Sequence, residues 1–130
     1  MSANEKLQAG LKVRREVLGE EYVAAAIEKA GPFGAPLQEL VTEFCWGAVW
    51  ARDGLDRRTR SLLNVAMISA LNRPNEVRIH LEGALNNGCT AAELREVVLQ
   101  ISAYCGMPAA LDTFRVLREV LAERGEEPKA

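Results

Sequence analysis

The sequence predicts an all-α fold, because apolar residues recur at helical spacing along most of its 130 residues and no segment alternates as a strand does. Glycine, proline and asparagine lie between the periodic segments, where helices begin and end. With 48% hydrophobic and 26% charged residues, the composition is that of a globular protein. We therefore expect one domain over residues 1–130, a bundle of about six or seven helices.

The N-terminal part of the chain predicts two helices within about residues 4–30. The first ends at Gly19, and the short second one is closed by the Gly-Pro-Phe-Gly breaker at residues 31–34. Pro36 suits the first turn of the next helix, which we expect to continue to Trp50.

The rest of the chain predicts four more helices. Asp56 is a good N-cap for a helix that runs to about Leu71, and the nearly all-apolar second half of this helix predicts that it is the central buried one. Pro74 opens the next helix, and Asn87 with the following glycine ends it. The remaining signals are a capping box at Thr90 and Glu93, a break at residues 106–108 and a last helix that ends near residue 122.

Charge and cysteine content exclude several classes of protein. A net charge of −2 offers no basic surface for nucleic acid or an anionic membrane, and the apolar runs are too short to span a bilayer. The first residues lack the pattern of a secretory signal. The cysteines are widely spaced and form no Cys-x-x-Cys pair, which favours reduced structural thiols in the cytoplasm and no bound metal. They are Cys45, Cys89 and Cys105.

His80 is the only histidine, and it falls on the apolar face of a predicted helix. Val77, Leu81 and Ala84 share that face with it, and Glu76 lies one turn before the imidazole. An inward-facing ring beside a carboxylate is suited to donate a proton near neutral pH. The alternative is a buried structural histidine whose ring is satisfied by a hydrogen bond.

Arginines cluster at the start of the helix that follows Asp56. A helix N-terminus favours anions, and arginine adds donors that match a carboxylate, so the cluster predicts a docking site for a small acidic substrate. Arg57 and Arg60 share a helix face and are therefore better candidates than Arg58. The alternative is a solvated face whose arginines pair with glutamates.

Three aromatic residues have two interpretations each. Trp46 and Trp50 are four residues apart, which is typical of a core or an oligomer interface and is also compatible with the wall of an apolar pocket. Tyr104 either offers its hydroxyl to a pocket or is a hydrogen-bonded structural residue.

Several segments taken together resemble the carboxymuconolactone decarboxylase family. The resemblance covers a core of about residues 36–122 of this chain. The resemblance implies an alkylhydroperoxidase-like all-α fold. The motifs that carry it are residues 46–50 (Trp-Gly-Ala-Val-Trp), 54–63 (Gly-Leu-Asp-Arg-Arg-Thr-Arg-Ser-Leu-Leu), 76–81 (Glu-Val-Arg-Ile-His-Leu), 84–90 (Ala-Leu-Asn-Asn-Gly-Cys-Thr) and 104–110 (Tyr-Cys-Gly-Met-Pro-Ala-Ala).

The resemblance implies decarboxylation of 4-carboxymuconolactone to the enol-lactone of 3-oxoadipate, in the protocatechuate branch of the β-ketoadipate pathway. The unsaturated lactone accepts the electron pair left by carbon dioxide, so no cofactor is required. We expect His80 to deliver a proton to the α carbon, and Glu76 to orient the ring and stabilise its protonated form. The residues expected to bind the acidic lactone are Arg57, Arg60, Arg73, Trp46, Trp50 and Tyr104.

Two other functions compete with this one. Alkylhydroperoxidase-type thiol enzymes look similar around the histidine but carry a Cys-x-x-Cys where this chain has Arg73 and Glu76, so a thiol oxidoreductase would have to use Cys89 or Cys105. The third hypothesis is a non-catalytic helical assembly module. The resemblance also implies a homo-oligomer, a hexamer built from dimers.

Overall fold

The computed structural model describes residues 1–129, which form six α-helices and one π-helix and contain no β-strand. The all-α prediction is confirmed. The chain divides into two compact units, one over Met1–Asp56 and one that begins at Arg57; the single domain stays a prediction. The helices are α1 (Ala3–Leu18), α2 (Glu20–Val41), the π-helix (Thr42–Trp50), α3 (Arg57–Ala70), α4 (Pro74–Asn86), α5 (Ala91–Cys105) and α6 (Met107–Arg124).

In the first unit, α2 is interrupted where the sequence predicts a breaker. Gly31 has φ 58° and ψ −168°, a conformation outside the helical region that glycine adopts without a Cβ clash. The helix resumes at once at Pro32, earlier than the predicted restart at Pro36, because proline is well suited to a first helical turn. The breaker is therefore a kink rather than a loop.

The π-helix was not predicted, since tryptophans four residues apart suit either type of helix. The wider turn is seen where the backbone N–H of Ala51 donates to the carbonyl of Trp46, five residues back, at 3.0 Å. The rings of Trp46 and Trp50 stack with centroids 4.8 Å apart and 29° between their planes. Both rings are buried with Val13 and Val17 of α1, so they form the core of this unit.

Two glycines let α1 and the π-helix pack backbone against backbone. A Cβ on Gly10 would overlap the carbonyl oxygen of Thr42, and a Cβ on Gly47 would overlap the carbonyl oxygen of Lys6. The atoms in the way are main-chain atoms, which cannot rotate aside as the end of a side chain can. Glycine is thus required at both positions by the closeness of the two helices.

Arg14 ties the three helices of this unit together. Its side chain is buried and its Nη1 donates to Oε1 of Gln38 at 2.9 Å and to Oγ1 of Thr42 at 3.1 Å. The Thr42 hydroxyl donates onward to the carbonyl of Gln38 at 2.7 Å. Both acceptors are neutral, and burial lowers the pKa of the Arg14 guanidinium because the charged form loses hydration.

The second unit is built around α6, which buries one face along most of its length: Ala109, Ala110, Thr113, Val116, Leu117, Val120 and Leu121. The prediction that α3 is the central buried helix is wrong. Its buried face is Ser61, Val65 and Ser69, while Leu63 and Met67 are about half exposed. A helix that packs against neighbours on one side only leaves part of an all-apolar surface uncovered.

Polar contacts join the helices of the second unit. The hydroxyl of Thr113 donates to Ser69 Oγ at 2.7 Å, and that of Ser69 donates to the carbonyl of Val65 at 2.6 Å, which satisfies both buried groups. The predicted capping box at Thr90 and Glu93 is confirmed, with both of its hydrogen bonds formed.

None of the helices within residues 1–129 combines the length and the apolar composition needed to cross a bilayer.

We predict that Gly47→Ala lowers the free energy of unfolding by about 1–3 kcal/mol or more, because the new methyl group meets main-chain atoms of α1. The sign of this change in the free energy of unfolding is informative, because Gly→Ala in an uncrowded helix stabilises the helix by about 1 kcal/mol. Urea titration followed by circular dichroism measures it. Gly54→Ala is the control, because a Cβ there meets nothing within 4 Å. Equal stability of the two variants would contradict the close packing.

Candidate active site

The candidate site lies on the pair formed by α3 and α4. These helices pack against each other, and the connection between them is only residues 71–73, so they run antiparallel. Near the end of α4, the Asn87 side-chain amide donates to Ser61 Oγ at 2.9 Å and to the carbonyl oxygen of Arg57 at 3.4 Å. These contacts set the register of the pair, with the end of α4 beside the start of α3.

His80 lies midway along α4 at the edge of its apolar face. Val77, Leu81 and Ala84 are buried in the core of the unit, while the imidazole is half-buried. Across the helix pair, Nδ2 of Asn64 lies 3.4 Å from Nδ1 of the ring, which is long for a hydrogen bond. The predicted inward-facing ring is therefore present, and it faces an amide on the neighbouring helix.

The protonation of His80 differs from the expectation. Burial lowers its pKa from 6.5 to about 4, because the charged ring loses hydration. Glu76, exposed and one turn earlier, acts in the opposite direction through its negative charge but is the smaller influence. The ring is thus neutral at neutral pH in this structure, which does not favour a protonated donor stabilised by Glu76; the catalytic roles of both residues stay predictions.

Two of the predicted arginines share a helix face with Asn64. Arg57, Arg60 and Asn64 stand at i, i+3 and i+7 on α3, which places them on one side of that helix. Arg57 is the first residue of α3, where free N–H groups add to the attraction for anions. Both side chains are half-buried, and the Nε of Arg60 is buried. Arg57 and Arg60 therefore lie on the side of α3 that carries Asn64, the residue that faces the imidazole.

The other arginines near the site are engaged in structural contacts. Arg58 forms an ion pair with Glu93, the residue that also caps α5, as the solvated-face interpretation predicts. Arg78 pairs with Glu119 and, at 3.4 Å, with Glu123 of α6. Neither is therefore placed among the substrate-binding residues.

Arg73 is not brought together with Arg57 and Arg60. It follows the end of α3, whereas Arg57 begins that helix, and the 14 residues of α3 span about 20 Å. The Arg73 side chain instead donates to the carbonyls of Leu71 at 3.1 Å and Asn72 at 3.3 Å. Its predicted binding role is not supported by this position.

Tyr104 is also separate from the imidazole. It is 82% exposed and lines a cavity of about 230 Å³ together with Ala66 and Cys105. Ala66 follows Asn64 by two residues and so lies about 200° around α3, on the side away from His80. Any ligand of Tyr104 would occupy this other cavity.

The remaining predicted residues have structural positions. Trp46 and Trp50 form the core of the first unit, as the first of their two interpretations states. Cys89 is buried and its thiol faces the carbonyl of Arg58 at 3.7 Å, whereas Cys105 is exposed, so its position does not support the predicted structural role. None of the three cysteines forms a disulfide within the described residues 1–129.

Asn64 is the site residue that the sequence analysis missed. The only available signal was an amide inside an otherwise apolar helical run, where a polar side chain requires a partner. Its position at i+4 from Arg60 and i+7 from Arg57 places it on the predicted binding face. What remained unknown was that α4 presents His80 to it.

Comparison with known proteins supports the resemblance. Residues 35–119 match the model of the carboxymuconolactone decarboxylase family. The chain is 45% identical over 120 residues to nitrosuccinic acid decarboxylase of Metarhizium robertsii. The alignment covers 90% of this chain and 84% of the relative. It is also 40% identical over 129 residues to 4-carboxymuconolactone decarboxylase of Acinetobacter baylyi. This alignment covers 99% of this chain and 96% of the relative. The chain therefore belongs to the carboxymuconolactone decarboxylase family.

Proposed function

We propose that the protein decarboxylates 4-carboxymuconolactone to the enol-lactone of 3-oxoadipate without a cofactor. The observation that carries the proposal is a half-buried neutral imidazole that faces Asn64, on a helix pair whose opposing face also carries Arg57 and Arg60. The relative from Acinetobacter baylyi, aligned over 99% of this chain, supports the choice of lactone.

The substrate provides the electron sink that this reaction requires. When the bond between the ring carbon and its carboxylate breaks, the electron pair moves through the conjugated double bond to the lactone carbonyl oxygen. A dienolate and carbon dioxide result, and one proton then adds at the α carbon to complete the enol-lactone. The tasks left to the protein are to anchor the anion, to stabilise the dienolate oxygen and to admit a proton.

Anchoring falls to the start of α3. Arg57 and Arg60 are one turn apart, and each guanidinium can bind a carboxylate with two parallel hydrogen bonds. The N-terminus of α3 attracts negative charge in the same direction. In this arrangement the arginines bind one carboxylate of the substrate, and the other carboxylate is the one that departs.

His80 acts as a hydrogen-bond donor rather than as the source of the proton. Its pKa of about 4 leaves the ring neutral at pH 7, and a neutral imidazole donates one N–H without giving it up. A donor aimed at the developing oxyanion accelerates such a reaction by about 10²–10³-fold. The α-carbon proton then comes from water. The effect of Glu76 is limited to a partial offset of the burial of the ring.

Nitrosuccinic acid is the second candidate substrate, because the Metarhizium robertsii relative that acts on it is 45% identical to this chain. Its nitro group can take up the electron pair as the lactone carbonyl does, and its two carboxylates suit the same arginines. Either acid therefore fits the chemistry of a neutral donor beside two guanidinium groups.

We also propose that the chain associates with copies of itself through the exposed apolar side chains of α2 and the π-helix, here called the α2 stripe: Phe33, Leu37, Leu40 and Phe44. They recur at i, i+4, i+7 and i+11 and are 100%, 69%, 60% and 63% exposed. A pair of such stripes would bury roughly 1,000 Å², the lower bound for a specific interface. The hexamer implied by the family resemblance remains a prediction.

We predict that the purified protein converts 4-carboxymuconolactone, and the loss of the ultraviolet absorbance of this substrate measures the conversion. We expect His80→Leu to lower kcat about 10²–10³-fold. His80→Gln should retain more activity than His80→Leu, because a side-chain amide can still donate a hydrogen bond. Thermal unfolding of each variant shows whether the fold is kept.

Nitrosuccinic acid is assayed in parallel. A higher kcat/KM for it than for the lactone would make it the preferred substrate. Absence of turnover of both acids would reject the proposed function, and full activity of His80→Leu would reject the donor role.

We predict that Arg60→Ala lowers kcat/KM about ten- to a hundredfold, mainly through KM, because a charged hydrogen-bonding pair is worth about 1.5–3 kcal/mol. Arg115→Ala is the control, since that exposed arginine pairs with Asp112 and Glu119 along α6. An unchanged KM for Arg60→Ala would remove its anchoring role.

We predict that Leu40→Arg shifts the protein to a smaller species in sedimentation velocity, because it places a charge in the α2 stripe. Glu39→Arg introduces the same side chain at the exposed neighbouring position and should leave the species unchanged. A monomeric wild-type protein, or an identical shift in both variants, would contradict association through this stripe.

A further inference from the structure

The contact between Asn64 and His80 carries chemical information beyond its distance. The atom of Asn64 that faces ring nitrogen Nδ1, at 3.4 Å, is the amide nitrogen Nδ2. An amide NH₂ group has two hydrogens to donate and cannot accept, so with the amide in this orientation the ring nitrogen that suits the contact is the one with a lone pair. In a neutral imidazole only one ring nitrogen has a free lone pair, and the other carries the hydrogen.

Helix packing holds the two residues in this arrangement. Asn64 is half-buried on α3, and His80 stands next to the buried Leu81 of α4. One turn away along α3, the hydrogen bond between Ser61 and Asn87 fixes the register of the two helices. The amide and the ring therefore face each other as part of the helix pair, not by chance rotation of exposed side chains.

We propose that Asn64 is a positioning residue that holds the imidazole of His80 in the tautomer with hydrogen on Nε2, so that the N–H points away from α3. The two ring nitrogens of histidine are chemically distinct, and the hydrogen bond made by one decides which species the other presents. Asn64 thereby turns Nε2 into a donor.

This inference connects with the reaction through the proposed function, on which its catalytic part rests. A dienolate oxygen requires a donor, and the opposite tautomer would present a lone pair from Nε2 to that oxygen and repel it. In proteins where a neutral histidine polarises a carbonyl, the donor nitrogen has to be the one directed at the substrate. Asn64 acts through the ring and does not touch the reacting atoms.

The orientation of the side-chain amide is the point on which the inference depends. If Asn64 presented its oxygen to the ring instead, Nδ1 would carry the hydrogen and Nε2 the lone pair. The two orientations have the same shape and opposite consequences, so the tautomer of His80 reports directly which one is present.

The single histidine makes the test unambiguous, because every imidazole signal of the chain belongs to His80. The full chain is labelled with ¹⁵N-histidine, and long-range ¹H–¹⁵N correlation spectra are recorded at pH 7.5. A nitrogen that bears hydrogen and one that bears a lone pair resonate in well-separated regions. We expect the lone-pair signal for Nδ1 and the N–H signal for Nε2.

Asn64→Asp should reverse the pattern, because a carboxylate only accepts and would draw the hydrogen to Nδ1. Asn64→Leu, which removes the donor with little change of volume, should give a mixture of both tautomers. Asn75→Asp is the matched control, since it makes the same substitution at an exposed position of α4 and should keep the wild-type pattern.

Hydrogen on Nδ1 in the wild-type protein would overturn the inference, as would an unchanged pattern in both Asn64 variants. In the decarboxylation assay, Asn64→Asp should lower kcat about a hundredfold and change KM little. The spectra need no substrate. A wild-type Nε2 tautomer without turnover would reject the proposed function alone, and turnover with the Nδ1 tautomer would reject this inference alone.

Discussion

The loss of hydration at the imidazole of His80 is the constraint on which the chemistry of the site depends. The ring stands at the edge of the apolar face of α4, where burial lowers its pKa to about 4 against the smaller influence of Glu76. A fully exposed ring would be partly protonated near pH 7, and its N–H groups would be bound to water. In the half-buried position the ring is neutral, and the role of each nitrogen is decided by its neighbours. An expected proton donor thus becomes a fixed dipole.

The polar contacts between α3 and α4 determine which groups meet this ring. Ser61 with Asn87 and Asn64 with His80 are two cross-helix pairs of polar side chains. A buried polar group without its partner costs about 1–3 kcal/mol, so these pairs favour one register of the helices over its neighbours. The same register keeps Arg57 and Arg60 on the side of α3 that carries Asn64. The pairing of α3 with α4 therefore also sets the geometry of the site.

In the first unit, the close approach of two helix backbones determines which residues are possible at the contact. Gly10 and Gly47 are required because α1 and the π-helix approach until no Cβ fits. Arg14 then offers buried donors to Gln38 and Thr42, and the stacked rings of Trp46 and Trp50 fill the remaining core. The outer face of α2 carries large exposed apolar side chains.

The sequence by itself determined the helices, because their signals are local. Gly19, the breaker at Gly31, the capping box at Thr90 and the periodicity around His80 each act within a few residues. Helices begin or end at most of these signals, but the breaker is a kink within α2 and the π-helix was not predicted. The resemblance to the family was likewise readable from segments such as residues 76–81. Only the tertiary structure decided which groups meet. The neutral ring, the partnership with Asn64, the separate positions of Arg73 and Tyr104, and the exposed half of α3 all follow from packing between helices, since desolvation and contact depend on residues distant in the chain.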